Sequence, residues 1–299
     1  ARAARPDGSI VSVRAERFVL AAGALETARI LLASPAGRGS SVGLGNEHGW
    51  VGRCFMEHPR DRSLSLAPSF RFADATCFDV RTAAWKGEGP GSAAEVVGRL
   101  GLAEEIVRRE RLPNAGVSFF PVPRPGGRGW RRLVPWLERR GGTAGYGWSK
   151  HPDLDARYGS WQLLLNLEQR PDPQNRLILT GTTDRLGVPR ARVHWEWRDH
   201  DRAGLARLRE VIRTGVEDAG LGRVVLGPDA RPDPAAHHHA GTARMAARPE
   251  EGVVDRDGRV FGTENLFVAG AAVFPVAGFA NPTLTIVALA ARLAARLSA

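Results

Sequence analysis

The sequence predicts a mixed α/β (α+β) chain of two domains. One is assembled from both chain ends (1–60 and 236–299), and the other is β-rich and lies between them (61–235). Three observations lead there. A short apolar strand runs through a glycine into an apolar-faced helix near the start, over 17–33. A similar strand and helix return at the end, over 265–297. Between 61 and 200 the composition shifts to frequent proline and glycine, most of the tryptophans and short apolar runs.

Pro6-Asp7-Gly8 is a turn, and Ser9–Val13 and Arg17–Ala22 read as strands after it. Gly23 ends the second strand. Ala24–Ala33 then places Leu25, Ala28, Leu31 and Leu32 at helical spacing. The wholly apolar strand predicts burial in a parallel sheet under helices. Residues 34–60 read as a Gly-, Ser- and Asn-rich loop ending in VGRCFMEHP (51–59).

In the middle of the chain, strands are expected at 63–67, 115–120, 161–168, 176–180 and 190–197, with an amphipathic helix over 93–110. Arg124–Gly147 has little periodicity and reads as a long excursion or lid. Asp199–Gly220 is the clearest helix, capped by Asp199 and stopped by Gly220. A proline-punctuated loop follows over 227–236. Asn265–Ala269 is a strand, and Pro282–Leu297 a helix with Ile286, Leu289, Leu293 and Leu297 on one face.

The 299 residues carry a net charge of +10, and all but two of the 42 basic residues are arginine. The arginines are scattered and form no stripe that would track a phosphate backbone, which argues against a nucleic-acid partner. No apolar stretch reaches the length of a membrane span. Cys54 and Cys77 have no CxxC spacing and are expected as buried free thiols. The chain opens on Ala1 directly into strands, which suggests the C-terminal part of a longer protein.

The chemistry concentrates in the last sixty residues. His237-His238-His239-Ala240-Gly241-Thr242 puts imidazoles beside a glycine, which lets the backbone pass close to a planar or phosphate-bearing ligand. An imidazole near its intrinsic pKa suits the abstraction of an alcohol proton. A structural histidine is the commoner meaning of such a residue. In an extended run only His237 and His239 could share a metal, and no Asp, Glu or Cys stands at ligand spacing, so no metal site is assigned.

Asn281-Pro282 opens the last helix, where Asn is expected as N-cap and Pro at the first position. That terminus would also favour an anionic edge such as N1–C2=O of a reduced flavin, with the Asn side chain free to face a substrate hydroxyl. Gly270-Ala271, after an apolar strand, is a turn where main chain can approach a cofactor. No GxGxxG follows any strand, so this chain has no conventional pyrophosphate loop.

Taken together, the chain resembles the glucose–methanol–choline (GMC) family of FAD-dependent oxidoreductases. The matching stretches are FVLAAGALETARILLAS (18–34), VGRCFMEHP (51–59), NRLILTGTTDRLGVP (175–189), HHHAGTARM (237–245), GVVDRDGRVFGTENLFVAG (252–270) and FPVAGFANPTLTIVALAARLA (274–294). The resemblance implies that 1–60 and 236–299 form part of a Rossmann-like FAD-binding domain, with 61–235 binding substrate. It implies His238 as catalytic base and Asn281 as its partner, with Gly270, Ala271, Pro282, Thr283 and Leu284 lining the flavin. Gly270 stands where many members have Asp.

The implied reaction is oxidation of an alcohol, a sugar or polyol, by proton abstraction and hydride transfer to flavin N5. The electron acceptor is left open. The alternatives are an inactive fragment or subunit that needs a missing N-terminal FAD-binding half, and a His-rich metal-binding module.

Overall fold

The computed structural model describes residues 1–37, 39–79, 84–86, 93–95, 97–125, 147–227, 232–233 and 237–298. The chain divides into two units. The first comprises 1–58, 168–201 and 235–299, and the second 59–167 and 202–234. Residues 168–201, expected within the substrate-binding span, thus group with the chain ends.

In the first unit β1 (Arg2–Ala4) and β2 (Ile10–Ser12) form an antiparallel hairpin. After it, β3 (Phe18–Leu20) leads through Gly23 into α1 (Gly23–Ala33). Gly23 has φ +72°, a conformation that favours glycine, so its place at the strand–helix junction has a steric cause. β3 pairs with a distant strand in parallel, as the apolar pattern predicts: Phe18 faces Leu266 and Leu20 faces Val268. The expected burial of that strand is not observed, since Val19 is 45% exposed. Ala24, Ala28 and Leu31 of α1 are buried in a cluster with Val253, Val254, Val260, Val268 and Ala271–Phe274.

The second unit is a five-stranded antiparallel sheet. The elements of this unit run in chain order β4 (Arg60–Pro68), two short strands β5 (Ala84–Lys86) and β6 (Ala93–Glu95) that pair with each other outside that sheet, β7 (Leu100–Gly101), α2 (Glu104–Glu110), β8 (Ala115–Pro123), α3 (Leu154–Arg157) and β9 (Tyr158–Leu167). The helix expected over 93–110 is therefore confined to its last turns, because β6 and β7 occupy the first part. The excursion expected at 124–147 falls largely outside the described residues, as does most of the loop at 227–236.

β10 (Arg176–Thr183) and β11 (Pro189–His194) make a hairpin of the first unit. α4 (Asp199–Asp218) follows, then β12 (Gly222–Leu226). The sheet order is β12-β4-β9-β8-β7. Its core is aromatic: Trp161 is fully buried, stacked on Phe72 at 4.7 Å and edge-on to Phe119 at 5.9 Å. α4 buries Leu205, Leu208, Ile212 and Val216, an i, i+3, i+7, i+11 stripe.

The chain ends in the first unit with β13 (Leu266–Val268), the strand paired with β3, and α5 (Thr283–Ser298). Both thiols are free, but only Cys54 is buried; Cys77 is exposed, correcting the expectation for it. Among the described residues no helix is long and apolar enough to cross a membrane.

Candidate active site

The loop 237–245 is fixed along one side by the segment 51–58 and along the other by residues 271–273. Met56 and Ala240 exchange both backbone hydrogen bonds, at 3.0 and 3.1 Å. Backbone N–H groups of Gly241, Ala243 and Met245 donate to the carbonyls of Ala271, Ala272 and Val273. The buried Thr242 hydroxyl donates to the Ala24 carbonyl at 2.6 Å, tying the loop to α1.

Gly241 has φ +90°, and a Cβ there would lie 2.2 Å from the Cys54 carbonyl oxygen. Its glycine therefore serves loop packing; the space a ligand was expected to use is filled by Cys54 and Met56.

The imidazoles stand on this frame. Nδ1 of His238 lies 3.2 Å from Nδ1 of His58, with the rings edge-on at 5.1 Å. His58 is 1% exposed. The two nitrogens can share only one proton, so one donates and the other accepts. If His238 carries the Nδ1 proton, the basic lone pair of its ring is on Nε2.

Below both histidines lies Glu57, 5% exposed. One carboxylate oxygen, Oε2, accepts from the backbone N–H of both His58 and His238, each at 3.1 Å. The other, Oε1, is 2.8 Å from Nε2 of His239. Burial pushes the Glu57 carboxyl up, but the His239 hydrogen bond, the two backbone donors and the His239 charge outweigh it and hold its pKa below the ordinary 4.5. Farther back, the Gln169 side-chain oxygen accepts from the Glu57 N–H at 3.1 Å and from the Trp195 indole at 2.8 Å.

His238 lines a cleft of about 510 Å³ together with His237, His239, Gly270, Ala271, Pro282 and Thr283. The rest of its wall is made of Ala21, Gly23, Ala24 and Ala269, with Ile286 and Ala290 of α5. Five of the expected site residues thus meet in one place. The other two do not join them. Leu284 is 82% exposed and outside the lining. Asn281 is exposed and also outside it, one residue before Pro282. The carbonyl of Pro282 accepts from the Ile286 N–H at 3.0 Å, so the cap position falls on Pro282 and Asn281 lies outside the helix.

Glu57, His58, Gln169 and Trp195 escaped the sequence reading as site residues. Only the MEHP ending of the 51–59 stretch signalled the first two. Nothing local marks Gln169 or Trp195, because the hairpin β10–β11 brings Trp195 back.

A flat redox ring fits this cleft. Gly23 and Gly270 both line it, both have positive φ, and a Cβ on either would meet no atom within 4 Å, so each presents bare backbone to open space. The first turn of α5 borders the same space with N–H groups that an i→i−4 ladder leaves over.

Residues 171–290 match the family model described as GMC oxidoreductase. The chain is 28% identical to the fructose dehydrogenase large subunit of Gluconobacter japonicus over 97% of its own length and 48% of that protein. It is 28% identical to 2-methyl-1,2-propanediol dehydrogenase of Mycolicibacterium austroafricanum, over 95% of this chain and 48% of that one. A C-glycoside 3-oxidase of Arthrobacter globiformis is 39% identical over 42% of this chain and 24% of its own. Among solved structures, pyridoxine 4-oxidase from Mesorbium loti aligns with a TM-score of 0.52 at 20% identity, covering 96% of this chain and 52% of that one, a likeness of fold.

The likeness of fold fits the mixed α/β architecture described above. Residues 171–290 are thus similar to the segment that the GMC oxidoreductase model describes. It spans about half the length of the first two of these relatives.

Proposed function

We propose that this chain forms the alcohol-oxidising site of an FAD-dependent enzyme acting on a sugar or other polyol. The observation that carries the proposal is the position of His238: it lines a glycine-walled cleft at the start of α5 and is engaged at Nδ1 by a buried second imidazole. FAD, when bound, would supply a two-electron acceptor for the hydride. The chain's residues do the rest. His238 takes the hydroxyl proton at Nε2, and His58 holds its ring and tautomer through Nδ1. Glu57 fixes the backbone at both histidines. Gly23, Gly270, Ala271, Pro282 and Thr283 would hold the ring of the cofactor. Asn281, exposed and outside the cleft lining, is given no role in this reading.

The sugar or polyol class draws support from the relatives, whose names specify fructose, C-glycosides and a propanediol. A positioned base contributes about 10²–10⁴ in rate. In FAD-loaded protein, His238→Ala should slow flavin reduction by that factor while FAD stays bound; an unaltered rate would remove His238 from the chemistry.

A second reading has its own support: no Gly-rich pyrophosphate loop occurs in these residues, and the chain covers 48% of its relative. On that reading the chain retains FAD only with a further segment that grips the pyrophosphate. The purified 299-residue chain would then be colourless, and a stable flavin spectrum would count against it.

A further inference from the structure

Along the sequence, the histidine run has no acidic partner at ligand spacing. The fold supplies one from far away in sequence. One ligand atom from each of Glu57, His237 and His239 lies within 4.8 Å of the others. The rings of His237 and His239 are 6.3 Å apart. His237 has φ +58°, an uncommon conformation for a residue with a side chain. The carboxylate is nearly buried, whereas His237 is exposed and offers a way in from solvent.

We propose that Glu57, His237 and His239 form a binding site for a single divalent transition metal of the zinc type. Two imidazoles and one carboxylate select such an ion over magnesium or calcium, which prefer all-oxygen shells. Zinc takes nitrogen at about 2.0–2.1 Å and carboxylate oxygen at about 2.0–2.2 Å in tetrahedral geometry, which sets neighbouring donors roughly 3.3 Å apart.

The Glu57–His239 pair, at 2.8 Å, opens slightly to admit the ion, and the larger separation closes by rotation of the exposed His237 side chain. The metal takes the place of the hydrogen bond between Nε2 of His239 and Glu57, with His239 binding through the Nε2 lone pair of its neutral form. Oε2 of Glu57 stays on the backbone N–H groups of His58 and His238, so the carboxylate is already oriented before the ion arrives. Three protein ligands leave the fourth position to water or to a small molecule in the adjoining cleft. None of this depends on the redox reading of His238.

The test is a titration of the tag-free, metal-stripped chain with Zn²⁺ by calorimetry, and with Co²⁺ by visible absorption. One saturable equivalent is expected, with a tetrahedral-type cobalt spectrum. His237→Ala, at an exposed position, should weaken binding at least tenfold with an unchanged circular dichroism spectrum. Glu57→Gln should do the same if it folds. Absence of a one-equivalent isotherm overturns the site. So does a folded His237→Ala chain that binds like the parent, since the ion would then sit on other histidines.

Discussion

Nδ1 of His58 and Nδ1 of His238 stand 3.2 Å apart, one ring buried and the other lining the cleft. The pair makes a specific demand on tautomers. For His238 to act as a base through Nε2, its Nδ1 must donate and His58 must accept. A side chain at 58 without an acceptor removes that choice. His58→Phe should lower the rate of flavin reduction in FAD-loaded protein by about 10–100-fold, the usual scale for a partner that orients a functional imidazole. His58→Gln, which keeps an acceptor, should recover part of it. Equal rates for parent and Phe variant, measured by stopped-flow absorbance, would show that the contact has no catalytic role.

Gly241 is the tightest point in the frame that holds the histidines. Any side chain there meets the Cys54 carbonyl at 2.2 Å and must also adopt φ +90°. Strained backbone of this kind costs on the order of 1–3 kcal/mol, and the clash adds to it. Gly241→Ala should therefore lower the thermal midpoint by several degrees and loosen the Met56–Ala240 pairing. A melting curve that overlays the parent's would mean the loop can move aside without loss.

How much of this was legible beforehand depended on whether a feature is local. The helices α1, α4 and α5 and the strands β4, β8, β9, β10 and β11 follow from hydrophobic period and terminal glycines, properties of ten or twenty neighbouring residues. The helix expected over 93–110 is shorter, Glu104–Glu110, because an amphipathic spacing continues through residues that pair as strands. The site was half legible. His238, Gly270 and Pro282 sit in distinctive local runs. Glu57 and Gln169 act through contacts whose partners lie more than a hundred residues away, and such pairs have no period to read. Residue type points to Asn281 as the cap, but the first carbonyl to accept a helical bond is that of Pro282, one position later.

Arg29 ties α1 to the β10–β11 hairpin inside the first unit. Its guanidinium reaches the Asp184 carboxylate at 2.6 Å, and its Nε donates to the Pro189 carbonyl at 2.7 Å. The Arg29 hydrogen bond, followed by the Leu186 backbone N–H, holds the Asp184 carboxyl below its ordinary 3.8. A depressed carboxylate pKa stabilises the folded state above the unfolded value, and the gain is lost as pH falls through the folded value. Asp184→Asn should thus melt earlier than the parent at neutral pH, with the gap closing as pH falls below 3.8. A gap that stays constant down to acid pH would assign the effect to packing at 184 instead of charge.

Asp61 and Arg209 pose the sharper electrostatic question, because the carboxylate is fully buried on β4 and the arginine sits on α4 of the same unit. The guanidinium fork meets both carboxylate oxygens, at 2.8 and 2.9 Å, and Ser63 adds its N–H and its hydroxyl. A buried pair of this kind is weak evidence of net stabilisation, since desolvating both ions offsets most of their attraction. Removing one partner is different, because it strands the other charge. Arg209→Ala should cost about 3–5 kcal/mol by urea denaturation, while the double change Asp61→Leu with Arg209→Met should recover most of that loss. If the single and double variants are equally destabilised, the pair contributes as much through its geometry as through its charge, and Asp61 is required as an acceptor for Ser63 in its own right.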